Sequence, residues 1–216
     1  MNTFFIVTGF GSFGSVKKNP TERCVRKLAV TSSLENVYKC DVLDVSSHYV
    51  DDWIESVQEQ VQNDSTLGGC RLIFLHLGVC ETASCFKLEE YAYNEANFRI
   101  PDTSGFQPRH QKIVLDSDLG APKKTGLPVH HIIQNLLKLY GEHSTEIVHA
   151  SDDPGRYVCN YLYYKSLMAC ENAIRDLKMD DGIDMYALFC HVPLSSSHVS
   201  VETFVKDLVK EIASTN

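Results

Sequence analysis

A chain of 216 residues is long enough to bury a sizeable core without covalent staples, and it suits one α/β domain or at most two small ones. Its 20 Lys+Arg against 28 Asp+Glu give a formal charge of −8 with no basic block, which argues against a phosphate-tracking nucleic-acid surface or a polybasic membrane patch. The longest apolar run, Met185 to Cys190, is far short of the roughly 20 residues of a membrane helix, and the N-terminus carries no secretory pattern, so the expectation is a soluble, cytoplasmic protein with a small or neutral partner.

In chain order, Phe4 to Thr8 reads as a buried strand followed by a Gly-rich loop. Asn19-Pro20-Thr21-Glu22 then announces a helix, with Asn19 as N-cap and Pro20 at the first helical position. A second strand is expected near Val37 to Val45. Val50, Trp53, Ile54, Val57 and Val61 then fall on one face of a helix, and Leu72 to Leu77 reads as a third buried strand. Between Gly78 and Gly126 the pattern weakens into extended segments and long loops, which in a compact domain are usually functional. Pro128 to Tyr140 is a helix stopped by Gly141, and Glu146 to Ala150 is a strand. The turn Ser151 to Gly155 opens a helix running to about Arg175, Met185 to His191 is the last central strand, and a final helix buries Val201, Phe204, Val205, Leu208, Val209 and Ile212. This alternation predicts a single α/β unit over 1–216, its largely parallel sheet covered on both faces and its ligands bound beyond strand C-termini.

Three features bear on chemistry. The eight cysteines are expected as free thiols, and no spacing among them suits a structural metal. Gly9-Phe10-Gly11-Ser12-Phe13-Gly14 spells G-x-G-x-x-G after a strand, yet the helix caps only at Asn19, too late for its N-terminus to meet a pyrophosphate. The preferred reading is an apolar recognition loop, with a structural turn as the plain alternative. Cys159 lies just after a strand, a turn and a helix opening, where an α/β fold presents a nucleophile, and His191 closes a strand as a matching base candidate. Because a helix dipole fades within its first turn, activation of the thiol is assigned mainly to the imidazole. Spacing alone leaves core packing open for both.

Thr8 to Gly14, Asn19-Pro20, Arg99-Ile100-Pro101-Asp102, Thr125-Gly126-Leu127-Pro128, Gly155-Arg156-Tyr157-Val158-Cys159-Asn160 and His191-Val192-Pro193 occur in the order seen in the pyroglutamyl peptidase I, or pyrrolidone carboxyl peptidase, family, from about Ile6 to Pro193. The resemblance implies a three-layer α/β/α sandwich and a cysteine omega-peptidase that removes N-terminal pyroglutamyl residues through a thioester, with no metal or organic cofactor. It implies Cys159 as nucleophile and His191 as proton shuttle. Counting back from Arg99 to Asp102, it implies Glu89 as the orienting carboxylate, in preference to Glu81, Glu90 or Glu95. Phe10, Phe13, Tyr157 and Val158 are then expected as walls of an apolar slot. Val79 stands where the family often has glutamine, and Arg99 is either an oxyanion donor or a loop tie. Ser12 replaces a common proline, and Pro154 stands where a small residue is usual. The segment after His191 is shorter than in the tetrameric bacterial relatives, so monomer and homo-oligomer both stay open. Two other readings are a catalytically silent relative acting as a binding module, and a nucleotide- or nucleoside-processing α/β enzyme, for which only the glycine motif speaks.

Overall fold

In the computed structural model, which describes residues 1–31, 34–141, 147–176, 182–194 and 199–215, the apolar runs become strands and the striped segments become helices. Strands β1 (Thr3–Phe10), β2 (Val37–Leu43), β3 (Arg71–Cys80), β4 (Phe86–Glu89), β7 (Val148–Ser151) and β8 (Asp184–Pro193) form one sheet in the order β2-β1-β3-β8-β4-β7. Every neighbouring pair is parallel except β4 against β8. Two short strands, β5 (Tyr91–Tyr93) and β6 (Pro122–Lys124), pair antiparallel beside it.

Side-chain alternation divides the core in two. Phe5, Val7, Ile73, Leu75, Leu77, Leu188 and Cys190 belong to the layer under α1 (Pro20–Thr31), α3 (Val129–Tyr140) and α5 (Val201–Ser214). Ile6, Leu72, Phe74, Ala187 and Phe189 belong to the layer under α2 (Ser47–Asn63) and α4 (Val158–Asp176). The result is the expected α/β/α sandwich with a largely parallel sheet.

The caps follow the sequence closely. Asn19 Oδ1 accepts from Thr21 N–H at 3.0 Å while its Nδ2 donates to Gly11 O at 2.9 Å, so one side chain both starts α1 and ties down the preceding loop. Gly141, at φ 69°, ends α3 in a conformation costly for other residues. The second strand stops at Leu43, short of the expected Val45, because Ser46 already caps α2 by accepting from Tyr49 N–H. β3 continues past Leu77 to Cys80. Of the strand expected from Glu146, the first residue lies outside the described residues, and β7 begins at Val148.

Candidate active site

His191 stands near the end of β8, its ring on the face covered by α2 and α4, tilted against Phe189 with ring centroids 4.8 Å apart. Beside it, β4 supplies Glu89, which is fully buried. His191 Nδ1 donates to Glu89 Oε1 at 2.8 Å. The Glu89 main-chain carbonyl accepts from the Tyr163 hydroxyl of α4 at 2.8 Å, so both ends of the residue are fixed. Its second carboxylate oxygen, Oε2, is buried without a hydrogen-bond partner, an arrangement tolerable only next to a cation. The imidazole is that cation. Burial opposes its charge, but side-chain hydrogen bonds to Cys159 and Glu89 outweigh burial and raise its pKa to about 10. With Nδ1 committed to the carboxylate, Nε2 is the nitrogen left for Cys159.

Cys159 is the second residue of α4 and lies inside its first turn. With the helix beginning at Val158, its N-terminus lies closer to Cys159 than the sequence reading placed it, and the imidazole of His191 is the hydrogen-bond partner of the Cys159 sulfur. Space for that sulfur is provided by Gly78 of β3, whose Cα is the register partner of His191: a Cβ there would come within 3.1 Å of Cys159 Sγ. Asn160, buried next door, accepts from Tyr93 N–H and donates to Tyr93 O and Glu95 O, locking the start of α4 to β5. The preceding turn uses Pro154 ahead of Gly155 at φ 78°, a pairing natural to a turn with a left-handed third residue, so the unusual proline is accommodated.

These groups share a cleft of about 500 Å³ also lined by Phe13, Val79, Cys80, Glu81, Lys87, Arg99 and Tyr157. Phe13 is held by a two-way backbone pairing with Val16, with Gly14 at φ 47° between them, and its ring stands 6.3 Å from that of Tyr157. Tyr157 is fixed in turn by Phe98, at 4.9 Å, and by its hydroxyl donating to Pro101 O. Among the described residues no group of three His, Cys, Asp or Glu side chains is placed to hold a metal ion. No helix among them is long and apolar enough to cross a membrane.

The model of the pyroglutamyl peptidase family matches residues 4–205, nearly the whole chain. The chain belongs to the pyroglutamyl peptidase family. The pyrrolidone-carboxylate peptidase of Thermococcus litoralis is 28% identical over 93% of this chain and 80% of its own, and that of Pyrococcus furiosus is 31% identical over 75% and 71%. The solved structure of the Thermococcus litoralis pyrrolidone carboxyl peptidase superposes with a TM-score of 0.73 at 26% identity, covering 99% of this chain and 91% of that one.

As a pyroglutamyl peptidase family member, the chain brings Cys159, His191 and Glu89 together and sets Phe13, Val79, Tyr157 and Arg99 around them. Two expected wall residues need correcting. Phe10 keeps the strand alternation of Ile6, because β1 extends two residues beyond Thr8, and it is 3% exposed in the core. Val158 is fully buried there too, one helical turn from Leu162. Neither lines the cleft. The glycine motif is structural and apolar in its use: α1 starts only at Pro20, and Gly9 passes so near this helix that a Cβ would lie 2.7 Å from Thr21 O. Sequence reasoning missed Gly78, Asn160, Lys87 and Cys80. Gly78 interrupts an apolar run where a strand gains nothing from glycine, a usable sign of close approach. The Cys80 thiol sits below its ordinary pKa: burial pushes it up, but a Thr82 hydrogen bond and the nearby charges of His191 and Lys87 prevail. His76, on the same strand face as Gly78, is a buried neutral histidine pushed down to about 3 by burial and bonded to Thr8 and Ser166, and it takes no part in the cleft.

Proposed function

We propose that the protein is a cysteine-type omega-peptidase that hydrolyses the amide bond after an N-terminal pyroglutamyl residue. The observation that carries this is the chain of contacts from buried Glu89 through His191 to Cys159, opening into a cleft with Phe13 and Tyr157 on its wall. Cys159 Sγ attacks the carbonyl of the scissile amide, His191 gives its proton to the leaving amine, and a thioester remains. Water then attacks the thioester while His191 takes a proton back, and Glu89 keeps the imidazole oriented and its charge compensated. Amide N–H groups of the first turn of α4 supply the oxyanion donors, and Arg99, which lines the cleft within 3.5 Å of Glu81, assists. A lactam ring carries no α-amine, so an aromatic wall is appropriate where an ordinary aminopeptidase needs an acidic anchor. The cytoplasm is the proposed location, consistent with a thiol nucleophile that works reduced.

The test is release of a fluorophore from a pyroglutamyl amide, with and without prior alkylation by stoichiometric iodoacetamide. Turnover is expected, abolished in step with labelling of Cys159. Cys80 is the competing thiol in the same cleft, whereas burial drives the thiols of Cys24 and Cys40 up to about 12 and about 11 and makes them slow. No release, or release that survives full labelling of Cys159, overturns the reading.

A further inference from the structure

Lys87 is the charged residue that the cleft leaves over. Glu81 is paired with Arg99, Asp153 with Arg156 and Glu89 with His191, whereas Lys87 has no ion pair or hydrogen bond among the described residues. Its side chain is half-buried on β4, a strand paired along both edges, and shares a face with Glu89 because Phe86 and Leu88 occupy the opposite one. Its register partner across β8 is His191, so two cations stand side by side on one sheet face. Like charges so placed destabilise a sheet. Glu89 already answers the charge on His191, which leaves Lys87 as the cation without a counter-charge among the described residues, open to an anion that enters the cleft.

The order of the groups across the sheet points to which anion. Phe13 stands beyond β1, Cys159 lies over Gly78 of β3, His191 is on β8 and Lys87 on β4, so these groups succeed one another across the sheet. On the reading above, the acyl half lies on the Phe13 side and the leaving amine within reach of His191, so the residue after the scissile bond continues toward β4. We propose that Lys87 determines specificity on the leaving side, favouring pyroglutamyl peptides whose next residue presents a carboxylate. That carboxylate is an acidic side chain or, in a dipeptide, the free C-terminus. The proposal rests on the peptidase reading and names its substrate class.

The experiment compares kcat/KM of the intact protein for pyroglutamyl-glutamyl and pyroglutamyl-glutaminyl amides, and for pyroglutamyl-alanine as free acid and as amide. An acid-to-neutral ratio of about fivefold is expected in at least one pair, and the pair that shows it identifies the source of the carboxylate. The ratio should shrink with added salt, collapse toward one in Lys87→Met and persist in Lys87→Arg. Because it is read within each protein, a variant that is slower overall still reports. If Lys87→Met does not fold, Lys87→Gln and the salt series of the natural protein decide. A ratio of one or less in the natural protein, or an unchanged ratio in the neutral variant, overturns the proposal while leaving the peptidase reading intact. Failure to cleave any of the four substrates overturns both.

Discussion

A side chain at Gly78 would place its Cβ 3.1 Å from Cys159 Sγ and 2.6 Å from Cζ of Phe189. The sulfur occupies room that exists because one strand residue has no side chain. Phe189 is fully buried and cannot swing away cheaply. Gly78→Ala is therefore expected to cost about 1–3 kcal/mol of stability by overpacking and to depress kcat by displacing the thiol from His191. Urea denaturation and steady-state kinetics check this. A variant of natural stability and turnover would show that the sulfur does not sit there.

Removing the imidazole and removing its carboxylate partner should differ in degree. His191→Ala loses the proton shuttle and is expected to lower kcat/KM by about 10⁴ or more, whereas Glu89→Gln keeps a hydrogen-bond acceptor for Nδ1 and is expected to lose less. Kinetics on a pyroglutamyl amide measure both. The reverse order would reject Glu89 as the orienting group.

The charge on His191 also predicts how stability depends on pH. Its folded value of about 10 lies above the ordinary 6.5, so its contribution is fully present below pH 6.5 and is lost progressively as pH rises toward 10. Glu89→Gln removes the anion that supports the imidazolium and should flatten this fall. Thermal midpoints of both proteins across that range are the measurement. Parallel curves would mean that Glu89 does not hold the charge.

Phe10 and Phe13, three residues apart, should fail in opposite ways. Phe10→Ala opens a cavity in the core and is expected to cost about 3–5 kcal/mol of stability. Phe13→Ala removes cleft wall and is expected to lower kcat/KM on the pyroglutamyl substrate by about tenfold with a much smaller change in melting temperature. Equal effects of the two on stability would contradict their different placement.

The helices were legible because each carries its own signals: the Asn19 cap of α1, the Val50-to-Val61 stripe of α2 and the terminating Gly141 of α3 are local. β4 was not. Its four residues alternate over too short a span to mark a strand, and it exists through pairing with β8 on one edge and β7 on the other. Nor does spacing reveal that Cys159 and His191 meet, because their contact depends on β3 lying beside β8, a non-local fact. The family motifs supplied what local physics could not, including the choice of Glu89. The misassigned Phe10 has a simple cause: two more residues of strand keep a side chain on the core parity, whereas a loop starting at Gly9 would have freed it.

Because β4 runs against β8, Glu89 pairs with Phe189 and approaches the imidazole from within the sheet. A slip of one residue along β8 would exchange Glu89 for Leu88 on that face and push a carboxylate into the apolar layer beneath α3 and α5. In the turn from Glu81 to Cys85 that leads into β4, Glu81, Thr82 and Ser84 are exposed and can vary, whereas Ala83 and Cys85 are buried. The pairing of β4 itself has no such latitude. Natural variation in this stretch should therefore accumulate before Phe86 and stop there, making a strand of four residues the least negotiable part of the sheet.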